Sequence, residues 1–149
     1  MIRIYTSLSS SSCKKAKNWL DEHKLDYKEF NLNFYKINYF DINFILKNTE
    51  HGFTNIISKR SNIYKEKKID FENLNVIELK NIIIKYPSIL RTPIIVCDKK
   101  IQVGYNSDDI RIFLSRDLKR YFMKNKNYNN FEEYQKLLKS YFYKKKKII

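Results

Sequence analysis

Apolar and polar positions alternate only briefly at the start of the chain, where Ile2, Ile4 and Tyr5 around Arg3 form a β-branched and aromatic run that stops at Ser7–Ser12. The spacing then changes to three and four residues: Cys13, Ala16, Trp19 and Leu20 fall on one face, which predicts an amphipathic helix. A hydroxyl at Ser11 or Ser12 can accept a bond from a free N–H of the first turn, placing Cys13 at the first or second helical position. Tyr27–Leu32 reads as a second strand with Tyr27 and Phe30 as its heavy residues, so the chain opens β-α-β.

From Asn33 to Ser88 the pattern turns helical. Ile37, Phe40, Phe44 and Ile45 make one stripe, stopped near Asn48–Gly52, where an asparagine and a glycine suit a left-handed helix end. Asn55–Tyr64 holds one or two short helices around Ile56, Ile57, Arg60 and Ile63. Val76, Leu79, Ile83 and Tyr86 form a further stripe ended by Pro87. Strand character returns at Arg91–Cys97, with Lys100–Val103 as its hairpin partner across Asp98-Lys99. Asn106 or Ser107 then caps a short helix with Ile110, Phe113 and Leu114 inward. Leu118, Tyr121 and Phe122 start another helix. The most regular stripe comes last, Phe131, Tyr134, Leu137, Leu138, Tyr141 and Phe142, capped by Asn129 or Asn130 and closed by Lys144–Lys147. The domain organisation expected is a discontinuous core, residues 1–34 and 89–118, an inserted helical subdomain, 35–88, and a basic helical extension, 119–149.

Composition narrows this picture. Hydrophobic residues make up 43% and aromatics 15%, enough for a core, and two glycines and two prolines leave little room for long flexible linkers. No apolar run reaches the length of a membrane span and no signal-peptide pattern opens the chain, so a cytoplasmic protein with no membrane contact is expected. The net charge of +14 is uneven: residues from Lys119 onward carry +8 of it, a field that favours polyanions or acidic protein surfaces. An abundance of Lys, Asn and Ile resembles AT-rich coding bias, which discounts the charge argument without cancelling it.

Two cysteines, Cys13 and Cys97, do not form a disulfide scaffold, and with two distant histidines they do not form a zinc site; neither metal nor cofactor is expected. Cys13 at a helix N-terminus beside Lys14, Lys15 and Lys17 is expected to lean toward the thiolate. The alternative is a small buried hydrophobe, the state of most free cysteines.

Three blocks carry a resemblance: YTSLSSSSCKKAKNWL, LKNTEHGFTNIISKRS and YPSILRTPIIVCDKKIQVGYNSDDIRIFL. Over about residues 1 to 120 the chain resembles the arsenate-reductase and Spx superfamily, and most closely its Spx members. The resemblance implies an α/β fold, a thioredoxin-like mixed sheet flanked by helices. It implies a cis bond before Pro93 and an active-site-like loop of Ser7, Ser12, Arg91 and Pro93 around Cys13. It also implies a regulator of transcription that docks on the C-terminal domain of the RNA polymerase α subunit near Lys47, Gly52 and Arg60. Taken alone, Gly52 reads as a helix end, Lys47 as a solvated charge, and Arg60 equally as a structural ion pair or a contact.

The match departs from the family at three places. Ser10 stands where the first cysteine of a Cys-x-x-Cys belongs, so the disulfide switch is lost or altered; Thr92 stands where an arginine commonly precedes the proline; Leu8 replaces a proline. A bridge between Cys13 and Cys97 is not expected, since Cys97 lies some 13 Å along an extended strand from Pro93. Two other readings remain: a monothiol arsenate reductase-like or other thiol-dependent oxidoreductase using Cys13, with Arg60 and Arg91 as oxyanion holders, and a weak DNA contact through the basic tail.

Overall fold

The computed structural model describes residues 1–126 and 128–148. They divide into two compact units, Met1–Ile110 and Arg111–Ile149. The division falls eight residues earlier than the start of the expected extension.

The first unit is built on a four-stranded sheet in the order β2-β1-β3-β4, with β1 Ile2–Thr6, β2 Tyr27–Asn31, β3 Ile94–Cys97 and β4 Lys100–Val103. The β1 and β2 strands are parallel, Ile4 opposite Glu29, joined by helix α1, Ser11–Glu22. The β1–β3 and β3–β4 pairs are antiparallel, Ile4 facing Ile95 and Ile95 facing Gln102. The β3–β4 turn at Asp98-Lys99 puts Asp98 at φ 51°, in the left-handed region that an aspartate tolerates better than most residues. The mixed α/β sheet expected from the sequence is therefore present, and the Thr92–Pro93 bond is cis.

Between β2 and β3 run α2 Tyr39–Leu46, α3 Phe53–Ile56, α4 Asn62–Glu66 and α5 Val76–Lys85, with 3₁₀ turns at Phe71–Asn73 and Pro87–Ile89. None of these helices is long enough to be stable alone, so each depends on tertiary burial. Ile42, Ile45, Ile56 and Ile83 supply it, sharing one core cluster with Tyr5, Phe30, Ile94 and Val96 of the sheet. Each such side chain contributes about 1.5–3 kcal/mol of burial.

Several helix details differ from the pattern reading. Helix α2 begins at Tyr39, capped by a reciprocal box in which Asn38 Oδ1 accepts from the Asp41 amide and Asp41 Oδ2 accepts from the Asn38 amide. That phase buries Ile42 and Ile45 and leaves Phe40 exposed, so Phe40 is not part of the inward stripe; Ile37 is buried ahead of the helix. The end of α2 is Lys47 at φ −64°, with no left-handed residue there. Gly52 instead precedes α3, at φ 60° and ψ −132°. Val76 opens α5 but is exposed. The helix expected after Asn106 is a 3₁₀ turn, Asp109–Phe113, held by Asn106 Oδ1 accepting from the amides of Asp108 and Asp109.

The second unit contains α6 Arg116–Lys124, capped by Ser115, and α7 Phe131–Ile148, with Asn130 Oδ1 accepting from the Glu133 amide. Phe122 stacks on Tyr134 at 4.7 Å and Leu138 is buried, as the stripe predicted, whereas Phe131 at its head is exposed.

One polar cluster joins the sheet to the inserted helices. Asp41, wholly buried, accepts from Tyr5 Oη at 2.8 Å, Tyr35 Oη at 2.7 Å, Arg3 Nη1 at 3.2 Å and the Asn38 amide. Replacing Asp41 by Ala strands this half-buried cation and two phenols, and is expected to cost about 3 kcal/mol in urea unfolding. Burial, then the bond to Asp41, pushes the Tyr5 phenol well above its usual value; burial and the Asp21 hydrogen bond push Tyr27 up to about 12. A raised folded-state value means that the protonated phenol is favoured by folding. The resulting stability is complete below about pH 10 and is lost as pH rises through 12, which unfolding curves will register as a plateau from about pH 8 to 9.5 followed by a fall up to about pH 11.5.

Candidate functional site

The β1 strand delivers the chain into the serine-rich turn, where Ser9 takes φ 60° and redirects the backbone so that Ser10 enters α1 in an extended conformation. Ser10, rather than Ser11 or Ser12, is the N-cap: its Oγ accepts from the Cys13 amide at 3.2 Å. Cys13 is thus at the third helical position, one place deeper than expected, and its side chain faces the core with 2% exposure. The sulfur packs among the residues of the α1 inner face rather than standing open to solvent.

Opposite this turn lies the segment before β3. Ser7 Oγ and Thr92 Oγ1 share a hydrogen bond at 2.7 Å, so the serine loop and the cis Thr92–Pro93 bond meet directly. Pro93 is buried, Ser12 is half-buried on α1 and Arg91 is exposed, so the loop brings together Ser7, Thr92 and Pro93 and leaves the Arg91 side chain outside. Cys97 is half-buried at the end of β3, and both cysteines are free thiols.

The residues ahead of Pro93 also hold the inserted helices. The Arg91 amide donates to Ile56 O at 2.7 Å, the Ser58 amide to Ile89 O at 2.8 Å, and Ile57 bridges Leu90 in antiparallel fashion. The short helix that follows Gly52 is pinned in this way to the strand that carries the cis bond.

The three inserted residues singled out from the sequence do not share one cavity. Lys47 is exposed, its Nζ 5.1 Å from the Phe44 ring, and lines a recess of about 620 Å³ with Asn48, Asp98 and Lys99 of the hairpin turn. Gly52 lies on a separate groove of about 570 Å³ walled by Phe53, Ile57, Tyr64, Phe71 and Leu79. A Cβ at Gly52 would meet nothing within 4 Å, but the backbone there is one that L side chains rarely adopt. Arg60 is exposed in the turn between α3 and α4, without an ion pair among the described residues.

Sequence reasoning missed the buried Asp41 cluster and the burial of His23. The first had a local signal, Asn38 and Asp41 at capping-box spacing; nothing local showed that Arg3 and Tyr5 would reach it. His23 stacks on Trp19 at 3.9 Å, with its Nδ1 at 2.7 Å from Trp19 O. Among the described residues no group of three His, Cys, Asp or Glu side chains could hold a metal ion, and no helix is long and apolar enough to cross a membrane.

With this geometry established, comparison with known proteins is informative. Residues 5–113 match the ArsC family. The global transcriptional regulator Spx of Streptococcus pneumoniae is 42% identical over 124 residues, covering 83% of this chain and 93% of that protein. Its counterpart from Listeria innocua is 43% identical over 121 residues, 81% and 92% of the two chains. Among solved structures, a Staphylococcus aureus protein determined by NMR superposes with a TM-score of 0.67 at 21% identity, covering 77% of this chain and all of that one. An arsenate reductase from Vibrio cholerae reaches 0.61 at 14% identity, covering 74% and 92%.

Ser10→Ala is expected to lower stability by about 1 kcal/mol in urea unfolding, with Ser10→Asp retaining it, because the cap needs an oxygen acceptor. Brief iodoacetamide treatment of the native protein, read by peptide mass, is expected to label Cys97 ahead of Cys13; equal labelling in urea serves as the reference.

Proposed function

The chain belongs to the ArsC family and, within it, to the Spx-like transcriptional regulators, and on that premise we propose that it works by docking on the C-terminal domain of the RNA polymerase α subunit. The docking face is the inserted helical region bearing Lys47, Gly52 and Arg60. The observation that carries this reading is Gly52: half-exposed, at φ 60° and ψ −132°, with open space where a side chain would be. Bare backbone at such a place lets a partner approach closely, and any larger residue projects outward into that approach. Lys47 and Arg60 flank it as exposed cations suited to an acidic contact.

The reading is non-catalytic. Its support is the burial of Cys13, which leaves no exposed thiol at the turn, and the naming of the relatives as regulators. With Ser10 in place of a second thiol, no disulfide can close across this turn, so docking is independent of oxidation. The basic extension adds a weak contact with DNA alongside the polymerase.

Purified polymerase α C-terminal domain immobilised on resin is expected to retain the full chain equally with dithiothreitol and after peroxide treatment. Gly52→Arg abolishes retention, and Arg60→Glu, at an exposed site free of backbone strain, weakens it by about tenfold or more, the loss typical of reversing a charge in a contact. Failure of the unmodified protein to bind, or unchanged retention of both variants, refutes the proposal.

A further inference from the structure

The basic extension at the C-terminal end of the chain includes the 18-residue helix α7. The Arg111–Ile149 unit holds 12 Lys or Arg against 3 Asp or Glu. Its lysines are not equivalent. Tyr134, Leu138 and Tyr141 form the inner face of α7: Tyr134 stacks on Phe122, Leu138 is buried, and Tyr141 lies 5.1 Å from Tyr121. Lys144 and Lys145 fold over that seam, their Nζ atoms 5.8 Å and 5.9 Å from the Tyr121 and Tyr141 rings. Lys136, Lys139, Tyr143, Lys146 and Lys147, at steps of three, four, three and one residues, lie on the opposite face, all exposed. Lys136 shares Glu132 at 3.5 Å; Lys139, Lys146 and Lys147 have no ion pair among the described residues.

We propose that this outer face of α7 binds the phosphate backbone of duplex DNA without reading its sequence. Over eleven residues the cations span about 16 Å of helix, a reach that covers several phosphates along one strand. A membrane surface is disfavoured because a helix lying in lipid must bury an apolar face, and that of α7 is already used against α6. Base reading is disfavoured by composition: the outer face offers Lys, Glu132, Ser140 and Tyr143, and none of the planar Arg, Asn or Gln groups that make the most selective paired bonds to base edges. Duplex DNA as the polyanion rests on the regulator reading above, and the face deepens the DNA contact proposed there.

The test is a fluorescence-anisotropy titration of a labelled duplex with the full chain at 50–200 mM salt, free of polymerase. Four lysines at the phosphates give a slope of log K against log salt of about −3 to −4, the same for unrelated sequences. Lys146→Gln with Lys147→Gln brings the slope about 1.8 closer to zero, whereas Lys144→Gln with Lys145→Gln, removing equal charge from the seam side, moves it by less than half as much. Equal shifts for the two pairs, no binding at 50 mM salt, or preference for anionic vesicles over the duplex overturns the proposal. Retention on the polymerase domain is measured in parallel with the unmodified chain: if it is retained there but does not bind the duplex, this inference alone falls, and if it binds the duplex but is not retained, the docking reading alone falls.

Discussion

The carboxylate of Asp41 is the constraint on which the first unit turns. It is wholly enclosed on α2, and it accepts from a guanidinium, two phenols and a backbone amide drawn from β1 and the segment before α2. An enclosed carboxylate without such partners costs several kcal/mol, so the strand and the helix can only be assembled together. Arg3 reaches the cluster from a half-exposed position and lies over the rings of Phe30, Phe40 and Phe44 at 5.0 to 5.4 Å, which holds the outer aromatic residues of α2 in place as well. The helix ending in Lys47 is therefore oriented by the same strand that leads into the serine turn.

At that turn a serine and a buried cysteine stand three residues apart. Ser10 supplies an oxygen that caps α1, and the hydroxyl pair of Ser7 and Thr92 joins the loop to the cis bond before Pro93. Cys13 then becomes a packing residue. The inserted region is connected to the segment before β3 through the Ile57–Leu90 bridge and the Arg91 amide.

The C-terminal unit follows another logic. Tyr121, Phe122, Tyr134 and Tyr141 are consumed in internal stacking between α6 and α7, which leaves an outer face dominated by charge. A run of four consecutive lysines looks uniform in the sequence, yet a helix separates its members by about 100° each and so divides the run between two faces.

Much was legible from local pattern because it is decided within about four residues: the β-α-β opening, the Asp98-Lys99 hairpin, the Asn130 cap and most of the α7 stripe each follow from neighbours in the chain. The family resemblance added the cis proline. Burial of polar or misleading side chains was not legible. Whether Phe40 or Ile42 faces inward depends on where Asn38 starts α2, and whether Asp41 can be enclosed depends on Arg3 and Tyr5, 38 and 36 residues away. By itself the sequence determined which segments become strands and helices, since backbone periodicity and capping act over single turns. Only the tertiary structure decided that Cys13 and Asp41 lie inside while Lys146 and Lys147 face out, since the free energy of enclosing sulfur or charge is set by partners that folding brings from distant parts of the chain.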